Sequence, residues 1–133
     1  MRRCVFLRAA LGACVPALLA APLPAAAQLR RNFPADALRG KLVVLAPPVA
    51  KLNDADARLA PGARIRGPDN LLVLSGAIVG AELVVNYTLD TSGLVQDVWI
   101  LSDDERARRP WPTTPAEARS WRFDAFAQTW SKP

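Results

Sequence analysis

Histidine is absent from the 133-residue chain, cysteine occurs only at Cys4 and Cys14, and methionine only at Met1. All three sulfur-bearing positions fall in a segment, residues 1–27, that reads as a leader. The remaining 106 residues therefore hold no thiol, imidazole or thioether. That excludes disulfides, nucleophile/base pairs built on Cys or His, and soft-metal sites from the mature chain. Strong charge of one sign is lacking too: Arg2, Arg3 and Arg8 leave with the leader while all 12 acidic residues stay, so a formal charge of +5 becomes +2. A nearly neutral domain lacks the basic footprint of a nucleic-acid binder.

Long hydrophobic runs are also missing. The longest, Ala9 to Ala21, is interrupted by Pro16 and falls short of the ~20 residues a membrane span requires. Its setting is that of a secretory signal: a basic start, an apolar centre, then Ala25-Ala26-Ala27 before Gln28. Cleavage is expected after Ala27, with a periplasmic or secreted product and no transmembrane segment in it. Leu11-Gly12-Ala13-Cys14 has the form of a lipobox, but the apolar stretch continues past the cysteine to Ala21, which favours simple cleavage. Arg2-Arg3 fits a relaxed twin-arginine pattern, and the export route stays open.

What is there reads as one small β-rich domain. Residues 28–41, polar and basic, form an N-terminal arm with one turn near Ala35–Leu38, and residues 42–133 form the domain. Leu42-Val43-Val44-Leu45-Ala46 is a short β-branched run stopped by Pro47-Pro48, hence a buried strand. Asn53 to Asp56 predicts a turn between two extended pieces, and Ala63 to Arg66, between Pro61-Gly62 and Gly67-Pro68, predicts a further short strand. The clearest signal is a hairpin. Leu83, Val85, Tyr87 and Leu89 share one face, Asp90-Thr91-Ser92-Gly93 supplies the loop, and Leu94 to Leu101 returns.

Beyond the hairpin the period changes. Ser102-Asp103-Asp104-Glu105 predicts a capping box and a short helix ended by Pro110; Thr114-Pro115-Ala116-Glu117 predicts a second helix. Ala118, Trp121 and Ala125 form one stripe at helical spacing, and Phe123, Phe126 and Trp130 a second, so this C-terminal helix is expected to run on and pack across the sheet. The expected fold class is α+β, mostly β: a small antiparallel sheet or partly closed barrel of five to six short strands with a C-terminal helix packed on it.

Several groupings could carry chemistry. Asn53-Asp54-Ala55-Asp56 offers oxygen ligands but lacks the glycine and distant glutamate of a calcium loop, and a backbone-bonded turn explains it. Asp103-Asp104-Glu105 could furnish paired carboxylates, yet a first helical turn favours acidic residues in any case. Of eight aromatics in the mature chain, five (Trp111, Trp121, Phe123, Phe126, Trp130) fall between residues 111 and 130, beside Arg106, Arg108, Arg109, Arg119 and Arg122. Rigid aromatic area interleaved with arginine suits a binding surface. It equally suits a hydrophobic lid with arginines on its wet side.

The mature stretch as a whole resembles small exported proteins of Gram-negative bacteria, which implies a compartment and no activity. The run from Glu82 to Leu101 is similar to the central hairpin of TonB C-terminal domains, where a strand, an Asp/Gly turn and a second strand precede a helix. This likeness spans about a fifth of the mature chain and implies something of the fold only; a proline-rich spacer and a retained anchor are missing, so energy coupling is not carried over.

The leading expectation is a non-enzymatic periplasmic binding or accessory protein whose partner is another envelope component. It would act through an aromatic/Arg surface comprising Trp111, Trp121, Trp130, Arg109 and Arg122, without catalytic residues, metal or cofactor and without nucleic acid. One alternative is a carboxylate-based hydrolase, with or without a divalent cation, using Asp54, Asp56, Asp103 or Glu105. Another is a structural envelope subunit.

Overall fold

The computed structural model describes Gly12 and residues 30–133; the expected signal peptide, its cleavage after Ala27, the Cys14 lipobox and the arginine pair at Arg2-Arg3 lie outside the described residues, Gly12 apart. Among the described residues there are seven strands, β1 (Leu38–Ala46), β2 (Val49–Leu52), β3 (Ala55–Arg66), β4 (Leu83–Leu89), β5 (Val95–Ile100), β6 (Arg122–Asp124) and β7 (Thr129–Ser131). Two short helices, α1 (Asp103–Arg106) and α2 (Pro115–Ser120), and one 3-10 turn at Ser75–Ile78 accompany them.

The first five strands close into a barrel in the order β1-β2-β3-β5-β4, with β4 returning to β1. Every pair is antiparallel except β3 with β5. Closure leaves no long unpaired edge. Alternation places Leu38, Leu42 and Val44 of β1, Val85 and Tyr87 of β4, and Val95 and Val98 of β5 inside, with Leu59 and Ile65 of β3.

The expected hairpin is β4 and β5, paired from Val85↔Ile100 to Leu89↔Val95. Its loop is closed by Asp90, whose Oδ1 accepts from Ser92 N (2.8 Å) and Leu94 N (2.9 Å), and by Gly93 at φ 81°, a value that favours glycine. The apolar run at Leu42 proves to be the second half of a longer strand. β1 starts at Leu38, and Gly40 lets it pass close to its neighbours: a Cβ there would meet the Asn53 side chain at 3.0 Å and the Tyr87 ring at 3.1 Å. The turn expected near Asn53 is present, with Asn53 and Asp54 both at positive φ. Pro61-Gly62, expected to end a strand, instead lies within β3. It occupies a register shift between Leu59 and Arg64 against β5, a bulge at which no ladder donor is needed.

The C-terminal helix is the main correction. α2 has its predicted start, with Thr114 Oγ1 accepting from Glu117 N at 3.2 Å and Pro115 at the first position. It ends after six residues because Trp121 turns extended (φ −87°, ψ 158°). The remainder is a hairpin, β6 against β7, with Phe123 opposite Trp130. Asp124 Oδ1 accepts from Phe126 N and Ala127 N at 3.0 Å each, which shapes the turn. Gln128, buried and at φ 55°, donates to Ala125 O and Phe33 O and accepts from Phe33 N at 2.7 Å. This amide ties the last hairpin to the N-terminal arm, and Arg30 Nη2 adds donations to Phe126 O and Ala127 O.

The outcome is a second core outside the barrel. Phe33 and Ala37 from the arm, Leu101, Trp111 and Trp130 are buried together, with Val84 and Trp99 on the outer face of β4 and β5 and Phe123 against them. Trp111 meets Phe33, Phe123 and Trp130 edge-on with ring centroids 5.8–6.1 Å apart, and its Nε1 donates to Ala37 O at 3.0 Å. Trp111→Ala is expected to cost about 3–5 kcal/mol in urea unfolding. Phe126→Ala, at a position 95% exposed, should stay within about 0.5 kcal/mol of the parent. Equal losses at the two positions would contradict this division between core and surface.

Candidate functional site

The aromatic and basic segment is held against the barrel by two arginines, buried Arg31 of the arm and half-buried Arg39 of β1. Arg31 grips Glu105 through Nε to Oε2 (3.0 Å) and Nη2 to Oε1 (2.6 Å), and also donates to Gly67 O and Ile100 O at 2.7 Å each. Glu105 closes the predicted capping box as well: Ser102 N donates to its Oε1 at 2.9 Å and its own N–H donates to Ser102 Oγ. Burial alone would raise the Glu105 pKa; the hydrogen bonds from Arg31 and Ser102 and the Arg31 charge outweigh it and hold the carboxyl below its ordinary value. Arg39 donates to Arg108 O (2.6 Å) and Glu105 O (3.1 Å) at the end of α1, to Asn86 Oδ1 (3.2 Å), and stacks 5.0 Å over Trp111. Burial, then repulsion from Arg109 and Arg108, pushes its pKa down to about 10 against an opposing pull from Glu105.

The five sequence-predicted binding residues separate into two groups. Trp111 and Trp130 are each 5% exposed and belong to the second core, so a ligand cannot use them as an open platform. Trp121 is half-buried at the edge of that core with Lys132 Nζ 5.3 Å over its ring, and Arg109 and Arg122 are exposed. Among the described residues neither arginine takes part in an ion pair. Arg122 lines a cavity of about 410 Å³ with Ser120, Ser131, Lys132 and Pro133. This concavity has two cations, two hydroxyl groups and no acidic side chain, and Trp121 forms the platform beneath Lys132.

By contrast, a larger cavity of about 730 Å³ sets Arg30 and Arg108 against Asp103, Asp104 and Glu105. The carboxylates of the hydrolase alternative are already engaged or lie in solvent. Glu105 is consumed by Arg31 and Ser102, Asp103 pairs with Arg106, and Asp54 and Asp56 are exposed beside the β2–β3 turn. Among the described residues no group of three or more acidic side chains could hold a metal ion. Sequence reasoning missed Lys132, Ser120 and Ser131 because a hairpin, rather than a helix, is what carries Arg122 opposite Ser131.

The strand order and the single parallel pair have the connectivity of the five-stranded Greek-key barrel of the OB type. That architecture hosts unrelated functions and selects no ligand by itself. No protein family, curated protein or solved structure matches the chain. Among the described residues no helix is long and apolar enough to cross a membrane.

Glu105 carries a pH dependence. Its lowered folded-state pKa contributes stability that is complete above the unfolded carboxyl value of about 4.3 and is lost as pH falls through the lower folded value. Thermal unfolding of the parent should therefore weaken below about pH 4.3, while Glu105→Gln should lower stability by about 3–5 kcal/mol at pH 7, with Arg31 left buried and unpaired, and flatten that acid limb. An unchanged acid limb in the variant would remove Glu105 as its source.

Proposed function

We propose that the chain is a non-enzymatic binding or accessory protein of the periplasm, delivered there by the signal pattern of residues 1–27, and that it captures an anionic group of another envelope component. The observation that carries this reading is the cavity of Arg122, Lys132, Ser120 and Ser131 with Trp121 at its side. Arginine presents a planar fork that pairs with carboxylate or phosphate in two parallel hydrogen bonds, lysine adds a point charge, and the Ser131 hydroxyl adds a donor, while Ser120 Oγ donates to Glu117 O. The aromatic contribution shrinks from three tryptophans to one, Trp121, because the other two hold the layer in place.

The reading assigns no catalysis to the cavity: among the described residues no hydrogen bond joins Lys132 to Ser120 or Ser131, and Ser120 Oγ donates to Glu117 O instead. Binding through exposed residues on a rigid layer also separates function from stability. A photo-crosslinking side chain at position 133, which lines the cavity without supplying a polar side chain, should trap a discrete partner in intact cells, and the same group at position 54, in the β2–β3 turn, should not. Adding Lys132→Glu should abolish the product from position 133 while unfolding stability stays within about 0.5 kcal/mol. Identical products from both positions, or a product indifferent to Lys132→Glu, would remove this site from the function.

A further inference from the structure

Beyond β3 the chain continues as a short outlying hairpin. Val73 N–H donates to Ile65 O at 2.8 Å, Gly67 N–H to Leu71 O at 2.9 Å, and Arg66 stands opposite Leu72. The turn between them is Gly67-Pro68-Asp69-Asn70, with Asn70 at φ 67°. Val73 and Ile78 anchor this segment by packing on the barrel core. Leu71, Leu72 and Leu74 take no such part in the core, being 66, 70 and 82% exposed. Three leucines standing out on one short hairpin form an apolar patch that the fold of this domain does not require.

The patch continues across the same end of the barrel. Leu74 lines a cavity of about 250 Å³ together with Pro47, Pro48, Ala60, Ala63 and Val73, and Leu45 and Val49, on either side of the proline pair, are also exposed. Cations border it. Arg58 lies directly across from Val49 and Arg66 directly across from Leu72, and among the described residues neither side chain takes part in an ion pair or a hydrogen bond. Asp69, the acidic residue of the turn, accepts from Leu71 N at 3.1 Å.

We propose that Leu71, Leu72 and Leu74, bordered by Arg58 and Arg66, seat the domain on an anionic phospholipid surface. Aliphatic side chains on a projecting hairpin enter the boundary between headgroups and acyl chains, and guanidinium groups at their margin pair with lipid phosphates. A protein partner is the poorer match, because interface cores are enriched in aromatic residues, methionine and arginine at their centre, whereas this patch is aliphatic with its arginines at the rim. The surface shares no residue with the Arg122 cavity, and the inference does not rest on it.

The test uses the full chain with Cys4→Ser and Cys14→Ser, carrying an environment-sensitive fluorophore on Leu74→Cys or, as a control, on Asp104→Cys. Vesicles of phosphatidylethanolamine with phosphatidylglycerol should shift the emission at position 74 to the blue and leave position 104 unchanged. Phosphatidylcholine vesicles should not produce the shift. Arg58→Glu with Arg66→Glu should weaken the response at least about tenfold. No shift at position 74 with the anionic vesicles overturns the proposal, and so does a shift that needs no lipid and grows with protein concentration, which would make a second copy of the chain the occupant. Because the fluorophore reports its own position, binding by residues 1–27 cannot imitate the expected result.

Discussion

Arg31 and Glu105 form an ion pair in which both side chains are almost wholly removed from water. Such a pair gives little net stability compared with a well-packed apolar substitute, because each charge loses its hydration. Its consequence is geometric. One guanidinium joins the N-terminal arm to α1, to Gly67 at the end of β3 and to Ile100 at the end of β5, while the partner carboxylate caps α1. Breaking either half strands a buried charge, so the arm cannot leave without opening the helix. Phe33, two residues on, is thereby delivered to the face of Trp111 and Trp99.

From that point the second core follows. The outer face of β4 carries Asn86 and Thr88, both buried, and Val84, half-buried against the second core. In an ordinary small barrel such residues would be wet. Here Asn86 accepts from Arg39, which in turn satisfies carbonyls at the end of α1 and covers Trp111. Of the aromatic residues concentrated after residue 110, all but Phe126 are spent on this layer. Besides Phe126, what remains outside is cationic on the C-terminal hairpin and aliphatic beyond β3.

Legibility of these features tracked the range over which each is determined. The β4–β5 hairpin was readable because alternation, an Asp/Gly loop and β-branched residues all agree within twenty residues. Both helix starts were readable for the same reason: a cap and its partner lie three residues apart. The C-terminal hairpin was not. Phe123, Phe126 and Trp130 satisfy a helical stripe as well as two short strands. What decides between them is the Gln128 amide meeting the backbone of Phe33, a contact 95 residues distant. Arg31 was equally silent, since a lone arginine in a polar arm carries no mark of the carboxylate it will bury against. Pro61-Gly62 looked like a boundary and became a bulge, because the curvature of a closed barrel needs a place where the ladder slips.

The candidate site shifts for a related physical reason. An aromatic residue in a small domain has two uses, and the core claims it first whenever a neighbouring face lacks cover, since its burial outweighs that of any other side chain. Trp111 and Trp130 are therefore committed before any partner is met, and Trp121, at the margin, is left half in and half out. Arginine and lysine cannot be absorbed in this way without a buried counter-charge. In the described chain Glu105 provides one, for Arg31 alone. The exposed cations of the last hairpin are thus set apart by the cost of burying them, and they gather where β6 and β7 bring Arg122, Ser131 and Lys132 to one concave edge.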